Sequence, residues 1–390
     1  MPGDHAILSP SGSSRWLACT PSARLEAQFP ENTSEAAEEG TLAHGVGELI
    51  LRHRLGRVSD KALEDCMKNI RKDKFYSESL QEYAEQYATF VLEKFSEAQT
   101  RTKDAVIEIE AKLDMTEYVP EGNGTGDTVI FTDRVLDIID LKYGKGVLVS
   151  CVENKQMMLY ALGALKNADI LYDIDTIRMT IYQPRMDNIS SWSIGKDILL
   201  GWAEGFLKPR AQLAFDGEGD FAPGDHCRFC KAKNRCRALA EENLEIAKYT
   251  FRDPEKLEDF EIADILSRTD MFVNWINGVN SYALTEALNG RKWEGYKLVE
   301  GRSNRTYSDA DAVADKLVKS GIPEAIIYEK KLLGITAMEK AITKPTFNTL
   351  LSDLVIKPEG KPTLVPVSDK RSEINSTARA VADFSDEELT

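Results

Sequence analysis

The feature that most constrains this chain is a change of hydrophobic period. Residues 76–99 (YSESLQEYAEQYATFVLEKFSEAQ) repeat apolar side chains at helical spacing; the stretch that follows repeats them at every second position. VIEIEAKLDM (106–115), TGDTVIF (125–131) and RVLDIIDLK (134–142) read as three successive strands. Glu121-Gly122-Asn123-Gly124 and Thr132-Asp133 separate them as turns. A helix over 154–168, a strand over 176–185 and a helix over 198–215 follow. That order predicts an α/β core, a mixed β-sheet flanked by helices. Upstream, residues 35–55 predict a helix with Leu42, Val46, Leu49 and Ile50 on one face, and residues 14–19 a short one. A soft boundary near 250 divides a core (1–250) from an accessory region (251–390), mainly helical and then irregular.

Composition closes off several classes. With 390 residues, 42% hydrophobic and 29% charged, the chain has the make-up of a globular protein. No run approaches the roughly 20 apolar residues of a membrane span. The N-terminus lacks the basic-then-apolar pattern of a signal peptide, so a cytosolic compartment is expected, with no membrane partner. Six cysteines are too few for a disulfide scaffold, yet Cys227, Cys230 and Cys236 fall in one short segment. The net charge of -15 argues at first against a nucleic-acid partner. Resolved along the chain, the negative charge concentrates in residues 25–48, 241–270 and 383–390, and the remainder is near neutral. Segment 225–239 is basic, with Arg228, Lys231, Lys233, Arg235 and Arg237 against Asp225. Net charge therefore does not exclude DNA.

Two constellations carry chemistry. In the first, Asp127 begins one strand and Asp140 ends the next, so antiparallel pairing brings both carboxylates to one end of the sheet. Asp140 and Lys142 are two apart and project to one face. Paired carboxylates suit Mg²⁺ or Mn²⁺. A neighbouring ammonium orients or deprotonates a water, or neutralises developing phosphate charge. His44, on the first long helix, can add an imidazole. Gln156 and Tyr160, four apart on the following helix, share a face. Glu108 or Glu110 is a weaker candidate acid. Each residue alone reads equally as an ordinary turn, core or surface residue.

In the second, Cys227-x₂-Cys230-x₅-Cys236 offers three thiolates, and Cys19 in Trp16-Leu-Ala-Cys19 is the best fourth ligand. Only one C-x₂-C knuckle is present, which favours an iron–sulfur cluster over zinc, while His226 keeps zinc as the alternative. Cys66 and Cys151 read as ordinary thiols. The five bases of this loop are candidate phosphate contacts, or a solvated, charge-compensating surface.

Taken in order, Cys19, Gly40-x₃-His44, Gly126-Asp127 with Asp140-Leu141-Lys142, Gln156-x₃-Tyr160 and Cys227-x₂-Cys230-x₅-Cys236 resemble the RecB-like branch of the PD-(D/E)XK nucleases, in its iron–sulfur form. The resemblance covers about residues 9–240. It implies a restriction-endonuclease-like core. It also implies His44, Asp127, Asp140 and the Leu141 carbonyl as metal ligands, Lys142 as the catalytic lysine, and Gln156 and Tyr160 as the motif after it. Cys19, Cys227, Cys230 and Cys236 are implied as ligands of a [4Fe–4S] cluster. The remainder is similar to an uncharacterised phage and prophage family built on that core. Such genes resemble exonucleases that work beside a single-strand annealing protein, and the resemblance admits a homo-oligomer. Arg302, Arg305, Lys361 and Lys370 are further candidates for a DNA path. The expected function is a metal-dependent DNA exonuclease. The rivals are a non-catalytic DNA-binding or assembly protein on a nuclease fold and a cluster-bearing redox protein.

Overall fold

The computed structural model describes residues 7–30, 34–168, 172–245, 257–299, 308–328, 332–351 and 354–355. The first compact unit, Met1–Asn289, holds the sheet; the second is Gly290–Thr390. The soft boundary read near 250 thus differs from this division at 289/290, because the long helix Asp259–Leu288 falls in the first unit.

The chain begins with two short helices, α1 (Ser13–Ala18) and α2 (Ser22–Glu26). Three longer ones follow: α3 (Glu35–Arg54), α4 (Asp60–Ile70) and α5 (Glu78–Arg101). Each of these three starts at a serine (Ser34, Ser59, Ser77) whose hydroxyl accepts a first-turn backbone N–H.

The strands are β1 (Val106–Asp114), β2 (Asn123–Phe131), β3 (Arg134–Leu141), β4 (Ile174–Gln183) and β5 (Asn188–Gly195), adjacent in that order. β1–β2, β2–β3 and β4–β5 pair antiparallel; β3–β4 is parallel. That one parallel pair needs a crossover, and α6 (Lys155–Ala168) supplies it. The sheet is therefore mixed, as the order of periods predicts.

Helices cover both faces. On one, α6 packs with Leu113, Val129, Leu136, Ile138, Met179 and Ile181. On the other, α3, α4 and α5 meet Ile107, Ile109, Ile130, Ile139 and Leu141. Ile107 and Ile109 face the α3–α5 side, whereas Ala111 and Leu113 face α6. Residues of one parity change face only if the pleat is broken between them. The break is Glu110, at φ +53°, which has no Cα partner in the ladder. Gly163 allows α6 to lie against β1: a Cβ there would stand 2.8 Å from Leu113 Cβ.

After β5 a continuous helical stretch runs through α7 (Lys196–Trp202), one π-helical turn (Ala203–Leu207) and α8 (Lys208–Asp216). The N-terminal helices are tied to it. Arg210 donates to the Leu17 and Ala18 carbonyls, Arg24 to the Phe215 carbonyl, and Thr20 Oγ1 to Glu218 O at 2.6 Å. The unit closes with α9 (Arg237–Leu244) and α10 (Asp259–Leu288). The described residues of the second unit form α11 (Ala310–Lys319), α12 (Glu324–Ile327), α13 (Ile335–Ile342) and α14 (Lys344–Leu351). Among the described residues no helix is long and apolar enough to cross a membrane.

Candidate functional site

The β2–β3 ladder ends at Thr128↔Ile139, and the next residue on each strand is an aspartate. Asp127 lies midway along β2 rather than at its start, because pairing with β1 carries the strand back to Asn123. Its two oxygens have separate partners. Oδ2 accepts the Leu141 N–H at 2.7 Å, and Oδ1 stands 3.2 Å from His44 Nδ1 on α3. Asp140 is buried, and its Oδ2 forms an ion pair with Lys142 Nζ at 2.9 Å. Lys142 Nζ also donates to Gln156 Oε1 at 3.0 Å, and Gln156 Nε2 donates to the Tyr160 hydroxyl at 3.0 Å. One chain of contacts therefore links Asp140, Lys142, Gln156 and Tyr160.

The electrostatics follow from burial. Asp140 is raised above the ordinary carboxyl value, first by desolvation and then by the charge of Asp127, while Lys142 and His44 pull against it. Desolvation alone would lower Lys142 and His44. For Lys142 the charges of Asp140 and Asp127 more than compensate, and for His44 those of Asp127 and Asp140 do, so both are raised. The lysine is accordingly held as an ammonium. Burial, with the charge of Asp140, pushes the Tyr160 hydroxyl to about 12, so it stays protonated.

Three residues join this group. His44, Glu48, Tyr87, Glu110, Asp127 and Leu141 line one small cavity. The Glu110 carboxyl is raised by burial and by the charges of Asp127 and Glu48. Glu48 is four residues beyond His44 on α3, a spacing that signals a shared face; Glu110 was legible only as a weak candidate, and Tyr87 carried no signal beyond its helix. Glu108 is assigned no place in this cavity. Gln183, also missed, holds the loop after Lys142. Its Nε2 donates to Gly144 O at 2.8 Å and Val147 O at 2.9 Å, and its Oε1 accepts from Val149 N at 3.1 Å.

The chemistry of this donor set fits a hard divalent cation. It offers two carboxylates, one of them on the buried Asp140, and an imidazole.

Four of the cysteines gather around a second cavity. Cys19, Cys227, Cys230 and Cys236 line a single cavity with Arg15, His226 and Lys233. None of the six cysteines is in a disulfide. Cys19, Cys227 and Cys230 are all raised by burial, Cys230 to about 12. Glu26 joins the parts: it pairs with Arg15 Nε at 2.5 Å and accepts the Lys231 N–H at 2.7 Å. Four thiols from two distant segments facing one cavity are the donor set that a [4Fe–4S] cluster or zinc takes. Among the described residues, no three His, Cys, Asp or Glu side chains already stand at metal-ligating spacing. Cys151 is buried in the main core and Cys66 is exposed on α4; both lie apart from this cavity.

Of the five bases, Arg228, Lys231, Arg235 and Arg237 are exposed, and Lys233 is half-buried with Nζ donating to the Arg228 carbonyl at 2.7 Å. Arg228 packs over the Phe229 ring and Arg235 over Tyr282. Arg302, Arg305, Lys361 and Lys370 lie outside the described residues.

A sequence profile whose family is described as "Protein of unknown function (DUF2800)" matches residues 5–372. Among solved structures, one titled "Crystal structure of SSO0001" is similar at 14% identity and a TM-score of 0.24. The match covers 56% of this chain and 95% of that one.

Proposed function

The chain belongs to the DUF2800 family, and for this member we propose a metal-dependent deoxyribonuclease that hydrolyses phosphodiester bonds at DNA ends. The observation that carries the reading is Asp140 Oδ2: a buried carboxylate oxygen paired with the Lys142 ammonium at 2.9 Å, on the residue just past the ladder and close in the fold to Asp127. The motif order over about residues 9–240, similar to RecB-like PD-(D/E)XK exonucleases, supports the same reading.

His44, Asp127, Asp140 and the Leu141 carbonyl would hold Mg²⁺ or Mn²⁺. When bound, such an ion polarises the phosphate and makes water acidic. The protein's own part is positional and electrostatic. Asp127, by accepting the Leu141 N–H, fixes the end of β3 between Asp140 and Lys142. Lys142, held as an ammonium, stabilises negative charge on the phosphate oxygens. Gln156 aims that ammonium and is itself aimed by Tyr160. The four cysteines would hold a [4Fe–4S] cluster, zinc being the lesser alternative. Bound there, it would serve a structural role, with Cys19 joining the segment after α1 to Cys227, Cys230 and Cys236.

Purified protein, end-labelled linear DNA and Mn²⁺ test the reading. Degradation that stops with chelator is expected. Salt-dependent DNA binding without cleavage under any divalent ion would replace it with the non-catalytic alternative.

A further inference from the structure

The stretch Lys196–Asp216 buries one stripe: Leu199, Ala203, Leu207, Ala211 and Ala214 are all in the core. A soluble helix usually presents polar residues on the other side. Here Glu204, Lys208, Gln212 and Asp216 supply that polar face, and an apolar row flanks it. Ile198 is 67% exposed, Phe206 42% and Leu213 37%, and Trp202 between them is half-buried. Single exposed apolar residues need no explanation, but two aromatic rings stacked on each other at the surface do.

The π-helical turn Ala203–Leu207 brings two of these rings together. Trp202 and Phe206 stack, with centroids 6.3 Å apart and planes at 28°. π-helical turns are rare and are found mostly at functional positions. Cations bracket the pair: Lys155 Nζ lies 5.6 Å from the Trp202 ring, and the Arg210 guanidinium 5.6 Å from Phe206. Lys208 lies over Tyr118 at 5.8 Å. Lys155 directly precedes Gln156, the partner of Lys142, at the start of α6, so α6 carries both the cation over Trp202 and the residue that holds Lys142. Arg210 bonds the carbonyls just before Cys19, which lines the cysteine cavity.

We infer that Trp202 and Phe206, bracketed by Lys155 and Arg210, form a stacking platform that leads single-stranded nucleic acid to the Asp140–Lys142 site. The inference rests on the nuclease reading and names its substrate class. Unpaired bases offer π-faces to such rings, and the phosphates between them meet the cations. A duplex hides those faces inside its own stack and leaves the rings nothing to receive.

Fluorescence anisotropy with labelled oligo(dT) of roughly 20 nucleotides and with a blunt duplex of equal length, both in chelator, tests this. Phe206→Ala and Trp202→Ala are each expected to weaken oligo(dT) binding by about 5- to 150-fold and to leave duplex binding unchanged. Lys155→Glu is expected to weaken oligo(dT) binding and flatten its salt dependence. Because Trp202 touches the core, Phe206→Ala, whose ring is exposed, guards against mere misfolding, with circular dichroism as control. Unchanged oligo(dT) binding in Phe206→Ala, or an equal loss on duplex, overturns the platform. If the platform falls while Asp140-dependent cleavage persists, the nuclease reading stands. If Asp140→Asn cleaves like the wild type while Phe206→Ala still loses oligo(dT), the reverse holds.

Discussion

Lys142 Nζ stands 2.9 Å from Asp140 Oδ2 and 3.0 Å from Gln156 Oε1, so the oxygen best placed for a cation is already occupied by an ammonium. A divalent ion bound at this site would compete with Lys142 for Asp140. Gln156 Oε1 would still hold the lysine if the contact to Asp140 were given up. Lys142→Met is therefore expected to bind Mn²⁺ at least as tightly as the wild type while losing cleavage by a factor of about 100 or more. Isothermal titration with Mn²⁺, run beside a cleavage assay, checks both halves. Weaker Mn²⁺ binding in Lys142→Met would show that the lysine supports the ion rather than opposing it.

Gly163 tests the packing that brings α6 to the site. Alanine in a helix is favoured over glycine by about 1 kcal/mol. Here its Cβ would meet Leu113 Cβ at 2.8 Å and the Leu113 carbonyl carbon at 3.3 Å, neither of which can swing away. Overpacking of this kind costs about 1–3 kcal/mol, so Gly163→Ala is expected to lower the melting temperature. Gly201→Ala, with nothing within 4 Å, is expected to raise it. Thermal denaturation of both variants reads the contrast.

Asp114, at the end of β1, bonds Lys166 of α6 at 2.5 Å, and its carboxyl is held below the usual carboxylate range by that lysine and by Thr116. A depressed folded-state value stabilises the fold above the unfolded pKa and loses that stability as pH falls through the folded value. The contribution is thus intact at neutral pH and lost below about pH 4. The pair is exposed, so it is expected to add no more than about 1 kcal/mol. Melting of wild type and Lys166→Met between pH 7 and acid should converge as the pH drops.

At the cysteine cavity, Glu26→Ala removes the partner of Arg15 and the acceptor of the Lys231 N–H together. Loss of one partner of a shielded ion pair costs about 3 kcal/mol. Iron, zinc and sulfide per chain are expected to fall in Glu26→Ala and in Cys230→Ser. Elemental analysis with the visible spectrum of anaerobically purified protein measures this. Full metal content in Cys230→Ser would remove that thiol from the ligand set.

Much of this was legible in residue order. The run Ile138-Ile-Asp140-Leu-Lys142 placed two charges at the end of an apolar strand, and the fold brings them together. The strand β5 was not legible. Asn188-Ile-Ser-Ser-Trp-Ser-Ile-Gly195 has too few apolar residues, because an edge strand with one open face needs few. The break at Glu110 was hidden for another reason. A glutamate at positive φ is set by tertiary packing around β1 and β2, and no local pattern announces it. The Gln183 clamp was invisible because its partners are backbone groups, which carry no side-chain signature.

The most direct measurement is the single-turnover rate on end-labelled linear DNA with Mn²⁺ for wild type, Asp140→Asn and Asp127→Asn. Rapid loss of label is expected for the wild type and a rate at least about 100-fold lower in both variants, with their folds intact by circular dichroism. Equal rates in all three would contradict the nuclease assignment.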